Sequence, residues 1–232
     1  KLPATLWMIA ALGAAIVVID GAIAIRHGAA RRLPRIVLSN LGVPLALLLI
    51  VPNINAAGLP LIAQIALTLA VVVPLGPMIY RLAYQPIAEA PVLILLIVSV
   101  AVHVVLIGLG LLFFGAEGTR TPAFTDGTLD LGVTTLQYQT LWILAISAVL
   151  IVALYAFFGR TLYGKALRAT ALNRTGARLM GISTTMAGKL SFTLAAMIGT
   201  FSGILISPIT TLYYDSGFLI GLKGFVGAII GG

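Results

Sequence analysis

Five basic side chains with no acidic neighbour distinguish one segment of this chain, Gly159–Ser183, called here the basic loop. The segment has no Asp or Glu, yet it holds five of the fourteen Lys and Arg residues in the sequence. Guanidinium and ammonium groups bind carboxylates, phosphates and carbonyl oxygens, so such residues suit docking on a protein surface or on anionic lipid. The five are Arg160, Lys165, Arg168, Arg174 and Arg178.

Patterns that would indicate catalysis or metal binding are missing from the sequence. It contains no Walker-type phosphate loop, no HExxH and no GxSxG. Cys is absent, and the two His residues, His27 and His103, are far apart in the sequence. We therefore predict no catalytic residue, no metal site and no cofactor on this chain.

The composition defines the elements that must carry the basic loop. Mean hydropathy is +1.14, 60% of residues are hydrophobic, and only 9% are charged, against about a quarter in soluble domains. In lipid, helices satisfy their own backbone hydrogen bonds. The sequence predicts an all-α fold: one polytopic transmembrane helix bundle over residues 1–232, in a chain that we expect to be part of a longer protein.

Six apolar stretches are long enough, or nearly so, to cross about 30 Å of hydrocarbon. A seventh, from Phe218 to the end, predicts a partial or re-entrant helix. The second span is short and contains Pro44. The six predicted spans are Leu2–Ile25, Ile36–Val51, Pro60–Tyr80, Val92–Phe114, Leu141–Phe158 and Leu190–Leu212.

Loop charges predict the orientation of these spans. Arg26–Arg35 holds four Arg and no acid, and the basic loop lies on the same side when six spans are counted. The alternate loops are uncharged (Pro52–Leu59) or mostly acidic (Gly115–Gln139). The positive-inside rule therefore places the basic loop in the cytoplasm. Topology explains the net charge of +8, and we predict no nucleic-acid partner.

Polar residues at membrane depth are candidates for structure or for function. We expect Asp20 to reach the interface, and His103, Gln64, Asn40 and Thr68 to form hydrogen bonds between helices. Lys223 interrupts the C-terminal apolar run. We expect it to anchor the helix at the membrane interface or, alternatively, to lie at the outer mouth of a pathway. The candidates for residues along a transport pathway are Gly217, Gly221 and Lys223.

Within the basic loop, residue types predict two short helices. One covers Gly164–Leu172, a break follows near Asn173–Gly176, and the second ends at Gly181. Most of the apolar residues are Ala, which favours docking in a protein groove over insertion into lipid.

Four segments of the chain resemble the permeases of branched-chain amino acid ABC importers. GKALRATALNRTGARLMGIS (Gly164–Ser183) is similar to their cytoplasmic loop, and LSFTLAAMIGTFSGIL (Leu190–Leu205) and GLKGFVGAIIGG (Gly221–Gly232) to the segments that follow. YRLAYQPIAEAP (Tyr80–Pro91) resembles an upstream segment, with Tyr80 and Gln85 in place of the usual Glu and Arg. The resemblance covers residues 80–232, while residues 1–79 diverge. The loop matches are Gly164, Ala166, Arg168, Ala169, Ala171, Ala177, Gly181 and Ile182.

The resemblance implies a multi-pass permease subunit in a bacterial or archaeal cytoplasmic membrane. It implies pairing with a second permease, two cytoplasmic ATPases that bind ATP and Mg²⁺, and an external solute-binding protein. The basic loop, with Arg174 beside the matched residues, would be the coupling helix that docks on an ATPase. The implied cargo is leucine, isoleucine or valine, or another amino acid, urea or an amide.

Two other functions stay open at this point. A secondary transporter or channel would use the intramembrane polar residues, although the spans hold few carboxylates. A structural subunit of another membrane complex would use the basic loop as a lipid anchor. ATP-independent uptake by the chain alone would favour a secondary transporter or channel. Purification of the protein without associated ATPases would favour a structural subunit.

Overall fold

The computed structural model describes residues 4–26, 33–53, 58–130, 132 and 135–231. Its helices are α1 (Ala4–Arg26), α2 (Leu33–Ile50), α3 (Leu61–Val72), α4 (Leu75–Ile79), α5 (Val92–Phe114), α6 (Tyr138–Arg160), α7 (Leu162–Leu172), α8 (Arg174–Leu179), α9 (Thr184–Ile206) and α10 (Ser216–Gly231). Short 3₁₀ turns cover Val51–Asn53 and Gln85–Ile87, and a π turn covers Tyr80–Tyr84. The predicted helical, membrane-spanning architecture is confirmed.

Within the described residues, five helical segments are long and apolar enough to cross a membrane. They correspond to five of the six predicted spans. The remaining one forms the 18-residue helix α2, which carries Pro44 in its interior. The last predicted span starts earlier than expected, since α9 begins at Thr184, and α10 has only 16 residues.

The third span is an interrupted helix. Pro74 lacks a backbone N–H and cannot continue the hydrogen-bond ladder of α3, so α3 ends at Val72 and α4 begins at Leu75. The chain then widens into the π turn Tyr80–Tyr84. Single-turn π segments inside α-helices occur frequently at functional sites.

A small core joins α1 to its neighbours. Leu6 and Ile9 of α1 are almost completely buried, and they pack in one cluster with Val71 of α3 and Leu75 of α4. Helix α4 also packs closely on α9. By contrast, no side chain of α10 is buried, so α10 lies at the edge of the described bundle.

Two short antiparallel strands lie between α5 and α6, which the sequence analysis did not predict. Strands β1 (Thr128–Asp130) and β2 (Thr135–Gln137) pair with Leu129 opposite Leu136. The segment before β1 is tied to the chain after α9, because Thr119 and Leu212 exchange two backbone hydrogen bonds of 2.8 and 2.9 Å. The loop between α5 and α6 therefore meets the segment after α9 at one end of the bundle.

Candidate functional site

The basic loop folds as two short helices that are capped at each start. The Thr161 hydroxyl accepts a 3.0 Å hydrogen bond from the Gly164 amide at the start of α7. The Asn173 side chain accepts one of 2.9 Å from the Gly176 amide at the start of α8. The predicted pair of helices is confirmed, but the break is confined to Asn173 because this one residue both ends α7 and caps α8.

A Schellman turn ends α8. Gly181 has φ +79°, a left-handed conformation that favours glycine. Its amide donates to the Arg178 carbonyl and the Ile182 amide donates to the Ala177 carbonyl, both at 2.9 Å. The predicted helix end at Gly181 is confirmed, and the Schellman turn gives a structural reason for the presence of Gly181 and Ile182 in the matched pattern.

One face of the two helices packs against the bundle. Gly164, Leu167, Thr170 and Ala177 are buried, and α7 lies against α6 and α9. A Cβ on Gly164 would meet the carbonyl of Phe157 and lie 2.6 Å from the Cα of Phe158. Gly164 therefore permits the tight corner between α6 and α7.

The opposite face exposes large apolar side chains beside the bases. Leu172, Leu179 and Met180 are 90%, 83% and 82% exposed, and Arg168 is exposed as well. Among the matched alanines, Ala171 is exposed, whereas Ala166 and Ala169 are half-buried. Small residues were expected on the docking face, and these exposed apolar side chains were not predicted. The sequence placed the break only within Asn173–Gly176, which leaves the helical phase of Leu179 relative to Leu172 undefined.

Two arginines of α8 contact the segment that follows the π turn. The Arg174 guanidinium donates to the Ala88 carbonyl. Arg178 pairs with the Glu89 carboxylate at 2.6 Å and donates to the Thr184 hydroxyl at 3.2 Å. The loop after the third span and the basic loop therefore lie at the same end of the bundle, as the count of six predicted spans requires.

A cavity of about 1200 Å³ lies between α1, α3, α4, α5 and α9. None of the described residues that line it is Asp, Glu, Lys or Arg. Most of its wall is aliphatic or aromatic. Its polar side chains are Gln64, Thr68, Ser99, His103, Thr121, Thr200 and Ser207, with Tyr84 at one end.

The three pathway candidates differ in whether they line this cavity. Gly217 contributes to its wall, while Gly221 and Lys223 do not. Both lie exposed on α10. The start of α10 approaches α5, because the ring of Phe218 stacks on His103 at a centroid distance of 4.6 Å.

Several polar residues make contacts other than those predicted. The prediction of interhelical hydrogen bonds is wrong for Gln64 and Thr68: Gln64 donates to the Leu59 carbonyl, and Thr68 donates to the Gln64 carbonyl one turn back. His103 contacts its neighbour by ring stacking. The side chain of Asn40 and the whole of His27 lie outside the described residues.

Asp20 is half-buried and forms an ion pair with Arg81 of the π turn. The sequence analysis expected Asp20 only to reach the interface. The pairing is not readable from sequence because sixty residues separate the partners. Pairing lowers the cost of a carboxylate at this depth and joins α1 to the third span.

At the end opposite the basic loop, buried polar contacts join the outer loop to the end of α9. Gln139, 2% exposed, accepts from the Phe124 amide at 3.1 Å and donates to the Leu205 carbonyl at 3.0 Å. Arg120 donates twice to the Pro208 carbonyl, at 2.9 and 2.8 Å. Over the described part of the chain, no three His, Cys, Asp or Glu residues cluster where a metal could bind.

Comparison with known proteins matches residues 2–232 to the family described as branched-chain amino acid transport system / permease component. The match includes residues 2–79, where the motifs give no resemblance. High-affinity branched-chain amino acid transport system permease protein LivH of Escherichia coli (strain K12) is 28% identical over 166 residues, which are 68% of this chain and 53% of LivH.

The corresponding permease protein BraD of Pseudomonas aeruginosa is 25% identical over 191 residues, 80% of this chain and 62% of BraD. The chain thus spans a little more than half the length of the curated relatives it matches. No solved structure matches it significantly.

Proposed function

This chain belongs to the family of permease components of branched-chain amino acid transport systems, and we propose that it is the membrane-spanning subunit of an ATP-driven importer for leucine, isoleucine, valine or similar amino acids. The importer would lie in the cytoplasmic membrane of a bacterium or archaeon. Its other parts would be a second permease subunit, two ATPases that bind ATP and Mg²⁺, and an external solute-binding protein.

The observation that carries this proposal is the two-faced basic loop. One face, through Gly164, Leu167 and Ala177, is buried against the bundle. The other exposes Leu172 and Leu179 beside unburied bases. A rigid helix pair that is anchored on one side and offers apolar and cationic groups on the other suits docking in a groove of a partner ATPase. Nucleotide-driven closure of the ATPases would then move the loop and shift the bundle between two states.

The cavity supports a neutral cargo with an apolar side chain. Its described lining has no formally charged side chain, and its polar groups are few and scattered. Ligand pockets commonly measure about 300–1,000 Å³, so 1200 Å³ leaves room for one amino acid and water.

Reconstitution tests the proposal. The full-length protein would be purified with its genomic neighbours that encode ATPases, permease and binding protein, and placed in proteoliposomes. We expect uptake of radiolabelled leucine that requires both internal ATP and the binding protein. Uptake by the permease alone without ATP would refute an importer of this class.

A further inference from the structure

Three aromatic rings lie together at the end of the cavity nearest the basic loop. The ring centroid of Phe192 is 4.8 Å from that of Tyr84 and 5.3 Å from that of Tyr80. Tyr84 and Phe192 line the cavity, and Tyr80 is buried behind them. These three residues are called the aromatic cluster.

Two separate elements carry the cluster. Tyr80 and Tyr84 begin and end the π turn, whereas Phe192 lies on α9. Gly188, one turn before Phe192, leaves the space that the Tyr80 ring fills. A movement of the π turn away from α9 would therefore part the rings.

Arg178 joins α9 to the segment that follows the π turn. Its Nη2 atom pairs with Glu89, five residues after Tyr84, and its Nε atom donates to Thr184, the first residue of α9. Phe192 follows on the same rigid helix, eight residues or about 12 Å further along. Arg174 adds a second bond between α8 and the segment that contains Glu89, because its guanidinium donates to the Ala88 carbonyl.

We propose that the aromatic cluster is the gate of the cavity at the basic-loop end, and that Arg178 is the positioning residue that holds it closed. This inference rests on the proposed function, because only a transport subunit needs such a gate. Movement of α8 would withdraw the guanidinium from Glu89 or Thr184 and leave the two ring-bearing elements free to separate. A single side chain, that of Arg178, would thereby link the docking surface to the pathway.

Cysteine labelling tests the gate without requiring transport, and residues 1–232 contain no Cys that would react in place of the introduced one. Thr200→Cys places a thiol on the cavity wall, beyond Phe192 as seen from the basic loop. In inside-out vesicles containing the assembled, nucleotide-free complex, a membrane-impermeant maleimide should label this thiol slowly. Arg178→Gln should raise the labelling rate about two- to fivefold, the shift in equilibrium that an exposed ion pair can produce.

Phe192→Ala should raise the rate further, since it removes a ring of the gate itself. The double variant Arg178→Glu, Glu89→Arg should return it toward the starting value, because the pair is restored with reversed charge. Lys165→Gln is the matched control: Lys165 is an exposed base of the same loop, without an ion pair among the described residues, and its rate should not change.

An unchanged rate in both Arg178→Gln and Phe192→Ala would overturn the gate. A second thiol, Ile9→Cys, reports on general loosening, because Ile9 is fully buried. Equal acceleration at positions 9 and 200 would overturn the specific role of Arg178. ATP-driven uptake is measured separately, so loss of coupling to ATPases and failure of the gate give different results.

Discussion

Gly76 of α4 lies directly against the backbone carbonyl of Phe192 on α9, with no space for a side chain between them. A Cβ on Gly76 would meet that carbonyl and lie 2.8 Å from the Cβ of Ala196. Since backbone atoms of α9 cannot turn aside as a side chain can, this contact sets how closely α4 and α9 approach each other when the gate is closed.

Gly76→Val should therefore destabilise the permease. Overpacking of this kind typically costs about 1–3 kcal/mol, and thermal unfolding in detergent should show a lower midpoint. Gly108→Ala on α5 is the matched control, because a Cβ there meets no atom within 4 Å. Equal midpoints for the two variants would show that α4 and α9 are not packed this closely.

Gly164→Ala should disturb the corner between α6 and α7. The added methyl group would meet the carbonyl of Phe157, so α7 must shift away from the bundle, and its docking face with it. We expect weaker retention of the ATPases during purification while the permease remains in the membrane. Gly159→Ala, where a Cβ has open space, should retain them; loss in both variants would argue against a specific effect of the corner.

The exposed apolar patch should contribute to ATPase binding. Replacing Leu172 and Leu179 by Ser removes two side chains that are 90% and 83% exposed, so the fold should be unaffected. Burying a Leu side chain stabilises by about 1.5–3 kcal/mol, and about 1.4 kcal/mol corresponds to tenfold in affinity, so we expect the affinity for the ATPase to fall at least about tenfold. Thr175→Ala changes an exposed residue of the same loop and serves as the control. Unchanged affinity in the Leu172, Leu179 double variant would exclude the patch from the interface.

The bundle was predictable because its signals are local. Long apolar stretches fix the spans, and the caps Asn173 and Gly181 fix the helices of the basic loop. The interruption at Pro74 was not predicted, although a proline inside an apolar run is a local signal for a break; the π turn after it has no such signal in the residue types.

The contacts that build the site are long-range, and single-sequence reasoning missed them. Asp20 with Arg81, Arg178 with Glu89, and Gln139 with Leu205 each join residues that are distant in the chain. Composition shows that such polar groups need partners, but it does not say which. For Gln64 the opposite error was made: a partner on another helix was predicted, but its side chain donates to the nearby Leu59 carbonyl.

The central claim is that the basic loop couples ATP hydrolysis to transport. Lys165→Glu combined with Arg168→Glu reverses two exposed charges of that loop, neither of which forms an ion pair among the described residues. Leucine uptake and ATP hydrolysis would be measured together in proteoliposomes that contain the full complex. The account predicts that uptake is lost, that hydrolysis no longer responds to the binding protein, and that the permease remains inserted. Normal ATP-driven uptake by this double variant would contradict it.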